Sequence, residues 1–210
     1  MKVAPYLLAG LLFSQIQASL SEGGPVGPDG KTEVVCDYPQ SLRMRNTGGS
    51  DGAGLCVFTS VQNCARWQSG PVLQDFQAFM RQYPGGGYPE KLDKFIRLCA
   101  QKQGKPVPDF IQHTGGNAEF LDAAMATGRM VAVTYDGHDM HYGMNATIAH
   151  MVNLVHLDQE WAVVHDNNFI GEKQLVWLPR AEFMKRWRGN GGGWAVVLLL
   201  PPPPPVPRNG

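Results

Sequence analysis

Apolar residues recur every three or four positions from Leu55 onward. Phe58, Val61 and Ala65 share one face of a predicted helix over about 54–68, with Val57 and Cys64 beside them. After Pro71, a residue suited to a first helical position, Leu73, Phe76, Met80 and Tyr83 repeat the spacing. The segment YPGGGYP ends that helix. A third predicted helix, from Pro89 to about Gln103, carries Leu92, Phe95, Ile96 and Cys99 on one face. The period then changes. VPDFIQHT is extended, and NAEFLDAAMATG is a short helix with Asn117 placed to cap it and Gly128 to end it. RMVAVTY is a buried strand. IAHMVNLVHL alternates and turns at Asp158–Gln159 into EWAVVHD. KQLVWL is a strand, PRAEFMKRWRG a helix and WAVVLLL a last apolar strand.

Helices first and mostly antiparallel strands later define an α+β layout. The pattern divides the chain into a leader over 1–21, an N-terminal arm over 22–50, one domain over 51–200 and a proline-rich, disordered tail over 201–210. The arm is rich in Gly, Pro and Ser and holds one strand-like piece, TEVVCDY. The leader has one lysine, an apolar run from Val3 to Phe13, and small residues at Ala18, Ser19 and Ser21, the layout of a secretory signal peptide. Its apolar run is too short to span a bilayer. The expectation is a secreted or periplasmic protein with no membrane span.

Composition narrows the classes further. The 210 residues are 43% hydrophobic and 17% charged, which suits one globular domain with a real core. Eighteen basic residues balance eighteen acidic ones, so no basic surplus points to nucleic acid. Four cysteines, Cys36, Cys56, Cys64 and Cys99, allow three full pairings. Export would favour at least one disulfide among Cys36, Cys64 and Cys99, and no pair has the spacing of a zinc knuckle.

Cys56 is the candidate nucleophile. It follows SDGAG at the start of a predicted helix, where free N–H groups and the macrodipole favour a thiolate. Cys64 is two turns deeper, where that help fades. The thiol needs a base, and His150 opens a strand just after a polar loop. A hairpin turning at Asp158–Gln159 sets position 166 opposite about position 151, one step from His150. That register brings Asp166 or Asn167 close to the imidazole as an orienting acceptor. His156 falls on the same strand face as His150, farther along, and His165 on the opposite face; both read as structural or surface residues. A rival reading takes Asp136, His138, Asp139 and His141 of DGHDMHYGMNAT as metal ligands, though their spacing matches no known motif. The tryptophans, Trp67 included, read as core.

A cysteine opening a helix (GLCVFTSVQNCARW), a strand-borne histidine (HMVNLVHLD) and an Asp/Asn closing the next strand (WAVVHDNNF) resemble the papain-like cysteine peptidases. The compact C-terminal half, the aspartate at the third position and the stretch EFLDAAMATGRMVAVTY are similar to the double-glycine, bacteriocin-processing branch. The resemblance covers about residues 50–200. It implies a papain-like fold and a Cys–His–Asp(Asn) acyl-transfer site made of Cys56, His150 and Asp166 or Asn167. Those families carry a glutamine six residues before the cysteine to help hold the oxyanion, and here that position is Ser50. Ser50 or Asn46 replaces it, or the Cys56 N–H carries more of the load.

The expectation is therefore an exported, monomeric cysteine peptidase or amidase with a peptide or protein substrate and no cofactor or metal. The competing readings are an inactive binding module on the same fold, a transglutaminase-like acyltransferase, and a metal hydrolase at the 136–141 loop.

Overall fold

The structure, a computed structural model, describes residues 21–136, 149–171, 174–189 and 191–201. The candidate leader other than Ser21, the loop residues His138, Asp139 and His141, and the tail beyond Pro201 lie outside the described residues. Five α-helices and seven strands are described: β1 (Ser21–Gly23), α1 (Cys56–Trp67), α2 (Phe76–Met80), α3 (Pro89–Lys102), β2 (Phe110–His113), α4 (Ala118–Met125), β3 (Val131–Asp136), β4 (Ala149–Leu157), β5 (Trp161–His165), β6 (Leu175–Pro179), α5 (Arg180–Gly189) and β7 (Ala195–Leu198). The strands form one antiparallel sheet in the order β1-β6-β5-β4-β3-β7-β2. The α+β class is as the sequence predicts.

Helix α1 runs through the middle of the molecule, and almost every side chain on it is buried. Its apolar face explains Phe58, Val61 and Ala65. Its polar residues are buried too, and each finds a partner, as a low-dielectric interior requires. Thr59 Oγ1 donates to the Leu55 carbonyl, Ser60 Oγ donates to the Met151 carbonyl on β4, and Gln62 Oε1 accepts from the Gln77 N–H of α2. Asn63 Oδ1 accepts from the Met44 N–H of the arm. Asn63 Nδ2 donates to Asn153 Oδ1 at 3.2 Å, and Asn153 Nδ2 returns to the Ser60 carbonyl at 2.9 Å. This network fixes helix, arm and central strand to one another.

The strands next to α1 are covered on both faces, so their alternation is lost in burial: all five residues of β5 are buried. Asn153 meets α1, while Tyr135, which pairs with His150, meets Arg186 of α5. The predicted tryptophan core holds: Trp161, Trp177, Trp187 and Trp194 are buried, and Trp67 donates to the Gly128 carbonyl.

Two predicted elements are shorter than their patterns suggest. Residues 71–75 form bends rather than a first helical turn, so α2 starts at Phe76. Side chains take the carbonyls a helix would use: Lys105 donates to Pro71 O and Gln103 to Val72 O. TEVVCDY forms no strand. Both edges of β4 are already occupied by β3 and β5, so Cys36 adds a single N–H bond to the Val155 carbonyl.

That carbonyl marks an irregularity with consequences for the site. Pairing of β4 with β5 begins at Leu157↔Ala162, so the connecting loop is longer than a turn at Asp158–Gln159. The register then shifts by one between Leu154 and His156, leaving Val155 as the extra residue of a β-bulge. Beyond it Asn153 pairs with His165, which sets Asp166 opposite Val152 rather than Met151. His156 thereby moves to the face away from His150 and lies against Trp177, with its Nε2 3.0 Å from Asp158 Oδ2.

Phe58 is fully buried and meets Phe76 edge to face at 5.6 Å. Phe58→Ala is expected to destabilise the fold by about 3–5 kcal/mol, read as a lower urea midpoint at unchanged slope. A loss under ~1 kcal/mol would mean that α1 is not the centre of the core.

Candidate active site

Cys56 is the first residue of α1, preceded by a cap residue, Leu55, that supplies no side-chain hydrogen bond. Gly54 and Asn46 lie alongside: the Leu55 N–H donates to Asn46 Oδ1 at 2.8 Å. The thiol is half-buried at the mouth of a cleft of about 550 Å³, whose walls include Asn46, Gly87, His150, Asn168 and Trp194. Gly87 is needed where it stands. A Cβ there would fall 2.4 Å from Val57 Cβ, so the glycine segment packs directly on the first turn of α1.

His150 hydrogen-bonds Asp166 through Nε2, 2.8 Å from Oδ1, and both side chains are nearly fully buried. Asp166 Oδ1 also accepts the Asn168 N–H at 2.8 Å. With Nε2 engaged, Nδ1 is the ring nitrogen left for the thiol, and His150 and Cys56 are hydrogen-bonded to each other. The bulge makes this possible. Opposite residues of an antiparallel pair share a face. Asp166 beside Val152 is therefore on the face of His150. Continued without the bulge, the register of the hairpin end would put it beside Asn153, on the other face.

The electrostatics follow from the geometry. Burial alone would raise the Cys56 pKa, but the hydrogen bond and charge of His150, with the N–H groups of Met151 and Val57, bring it below the ordinary thiol value. Burial alone would lower the His150 pKa, but Asp166 and Cys56 raise it to about 10. The pairing therefore favours the thiolate beside an imidazolium, since each charge stabilises the other. The other thiols behave oppositely: burial pushes Cys36 up to about 12 and also raises Cys64 and Cys99. All four cysteines are free thiols, so the disulfide expected of an exported chain is not formed in this structure.

The structure thus brings Cys56, His150 and Asp166 together. Asn167 is also present but turned elsewhere: its Nδ2 donates to Ser60 Oγ, to Met151 O and to Cys56 O, not to the imidazole. Ser50 is exposed on the turn before α1 and does not line the cleft. Asn46, ten residues before Cys56, does line it, and its Nδ2 donates to Asn168 Oδ1 at 2.9 Å. His165 is buried against Tyr38, and desolvation together with Arg43 pushes its pKa down to about 3, so it stays neutral. Among the described residues no three His, Cys, Asp or Glu side chains form a metal site. Three of the four loop residues considered for metal lie outside that set.

No family model and no curated protein matches the chain. The fold does match a solved structure. A Bacillus anthracis protein described as a C39-like peptidase superposes with a TM-score of 0.53 at 16% identity, over 80% of this chain and 98% of that one. The chain therefore has a papain-like peptidase fold. No helix among the described residues is long and apolar enough to cross a membrane.

The raised His150 pKa sets a stability window. Its contribution is fully present below the unfolded value of ~6.5 and is lost as pH rises toward about 10. NMR titration of the ring should show imidazolium persisting above pH 8, and Asp166→Asn should lower that midpoint. A midpoint near 6.5 in the parent protein would remove the ion pair from the account.

Proposed function

We propose that the chain is a cysteine peptidase or amidase, and the observation that carries the reading is the Cys56–His150–Asp166 chain of hydrogen bonds at the cleft mouth. The Cys56 thiolate attacks the carbonyl carbon of an amide. His150 Nδ1–H gives its proton to the leaving amine, and a thioester forms. His150 then takes a proton from water, which cleaves the thioester and frees the acid and the thiol. Asp166 holds the ring in one orientation and stabilises its positive charge throughout.

The oxyanion forms beside the start of α1. We assign its stabilisation to the Cys56 N–H and the Asn46 carboxamide, since Asn46 borders the cleft next to the thiol. The substrate is a peptide chain rather than a small amide. A second depression of about 560 Å³, walled by Tyr83, Tyr88, Lys94 and Phe95, shares Gly86, Gly87 and Tyr88 with the cleft, giving room for several residues of an extended chain. The kinship with the double-glycine branch, the monomeric state and a site of action outside the cytoplasm belong to the same proposal; the leader over 1–21 supports the last.

Cys56→Ala should abolish peptide hydrolysis and labelling by a thiol-reactive peptide probe; labelling that persists would sink the assignment. Asn46→Ala should lower kcat by about 10²-fold while Cys56 still alkylates at neutral pH. An unchanged kcat would remove Asn46 from the oxyanion site. Expressed with its leader, the chain should be recovered outside the cytoplasm with a new N-terminus near residue 20. Recovery of uncleaved Met1 protein in the cytoplasm would contradict export.

A further inference from the structure

Asn167 lies just past the hairpin strand β5, one residue after the orienting aspartate, and it is completely buried. Its carboxamide nitrogen lies 2.8 Å from Ser60 Oγ, 3.0 Å from Met151 O and 3.2 Å from Cys56 O. Two of these acceptors belong to α1, and one is the carbonyl of the nucleophile's own residue. The third belongs to the residue that follows His150. Ser60 Oγ closes the triangle by donating to the same Met151 carbonyl at 2.9 Å. Asn167 Oδ1 has no hydrogen-bond partner among the described residues, so the amide acts only as a donor here. Its backbone carbonyl accepts the Asn46 N–H, which ties the arm into the same knot.

We propose that Asn167 is a positioning residue, a brace that sets the separation of the Cys56 thiol and the His150 imidazole by joining the nucleophile's helix to the base's strand. The proposal rests on the peptidase reading above, but it assigns Asn167 a role distinct from orienting the ring. Asp166 already holds Nε2, and the Asn167 amide points at backbone and hydroxyl oxygens. An amide suits the position because two N–H groups serve three acceptors, whereas a carboxylate has no hydrogen to give them. The brace matters because the pair is strongly distance-dependent. A thiol and an imidazole moved apart by even an ångström lose the hydrogen bond that holds the thiol ionised.

The titratable groups around the thiol are His150 and, beyond it, Asp166. His165, the last residue of β5 and two positions before Asn167, is buried and neutral beside Tyr38 and Arg43. None of these changes in the variants used as a test. Asn167→Leu removes both N–H groups at similar size, and Asn167→Ala removes the whole amide. Ser60→Ala opens the triangle with a smaller change.

The experiment is the pH dependence of Cys56 alkylation by iodoacetamide in the full chain, located by mass spectrometry, with the melting temperature followed in parallel. In the parent protein the rate should stay high at pH 6. In the Asn167 variants it should fall by about tenfold or more at pH 6 and recover by pH 9, the behaviour of a thiol whose pKa has moved to about one unit or more above that lower pH. Ser60→Ala should show the same trend with a smaller fall. A lower melting temperature with an unchanged pH profile would make Asn167 merely structural and overturn the brace. Should the Asn167 variants not fold, Ser60→Ala decides: a fall at pH 6 supports the brace and an unchanged profile overturns it. A parent protein whose Cys56 alkylates only as an ordinary thiol overturns the peptidase reading itself, and the brace with it.

Discussion

The hydrogen bond between His150 and Asp166 depends on one extra residue in a strand. Val155 shifts the register of the β4–β5 pair by one, and that shift turns Asp166 to the face of the imidazole. Slipping a strand by one residue reverses every side chain beyond the slip. A regular hairpin with the same loop would leave His150 facing one way and its carboxylate the other. The carbonyl of the bulged residue is not left bare; the Cys36 N–H of the arm takes it at 2.9 Å. A hydrogen bond to a charged partner is worth about 1.5–3 kcal/mol, so the irregular geometry is repaid at the site.

The arm over 22–50 is part of the same construction. Its Asn46 lines the cleft, and its backbone and side chains bond to helix and hairpin. Arg43 is buried and donates from Nε to Tyr38 O and from Nη1 to Gly171 O, fixing the loop that follows the Asp166 segment. Met44 bonds Asn63, and Asn46 bonds Leu55, Asn167 and Asn168. Five asparagines, Asn46, Asn63, Asn153, Asn167 and Asn168, thus join with Ser60 to connect arm, helix and hairpin around the thiol. Uncharged amides suit this task, since they offer donors and acceptors without adding a net charge that would perturb the ion pair.

Much of this was legible in the residues. Cys56 at a helix start, His150 on the next long strand and Asp166 closing its hairpin follow from period and turn chemistry alone. The register was not, because a bulge leaves no clear mark in a strand as apolar as NLVHL. The pairing drawn from a short turn placed Asp166 one step out and on the wrong face, although the two residues do meet. His156 was assigned to the wrong face for the same reason. Helix periodicity exposed one apolar stripe on α1 but not the burial of Thr59, Ser60, Gln62 and Asn63, since their partners come from distant segments. Asn46 and Ser50 could not be ranked for the oxyanion, because the course of the turn between them decides which one borders the cleft.

The order in which the chain is made gives the ion pair a further meaning. Cys56 emerges 94 residues before His150, and two of the three residues that stabilise its thiolate, His150 and Met151, come from that distant strand. Only the Val57 N–H is local. A sheet whose neighbours are so far apart in sequence closes late, because long loops must be ordered before their contacts form. Until it closes, the thiol has the modest reactivity of any cysteine. The lowered pKa of this thiol therefore arises only with the completed fold, and a chain halted partway through synthesis carries an ordinary cysteine there.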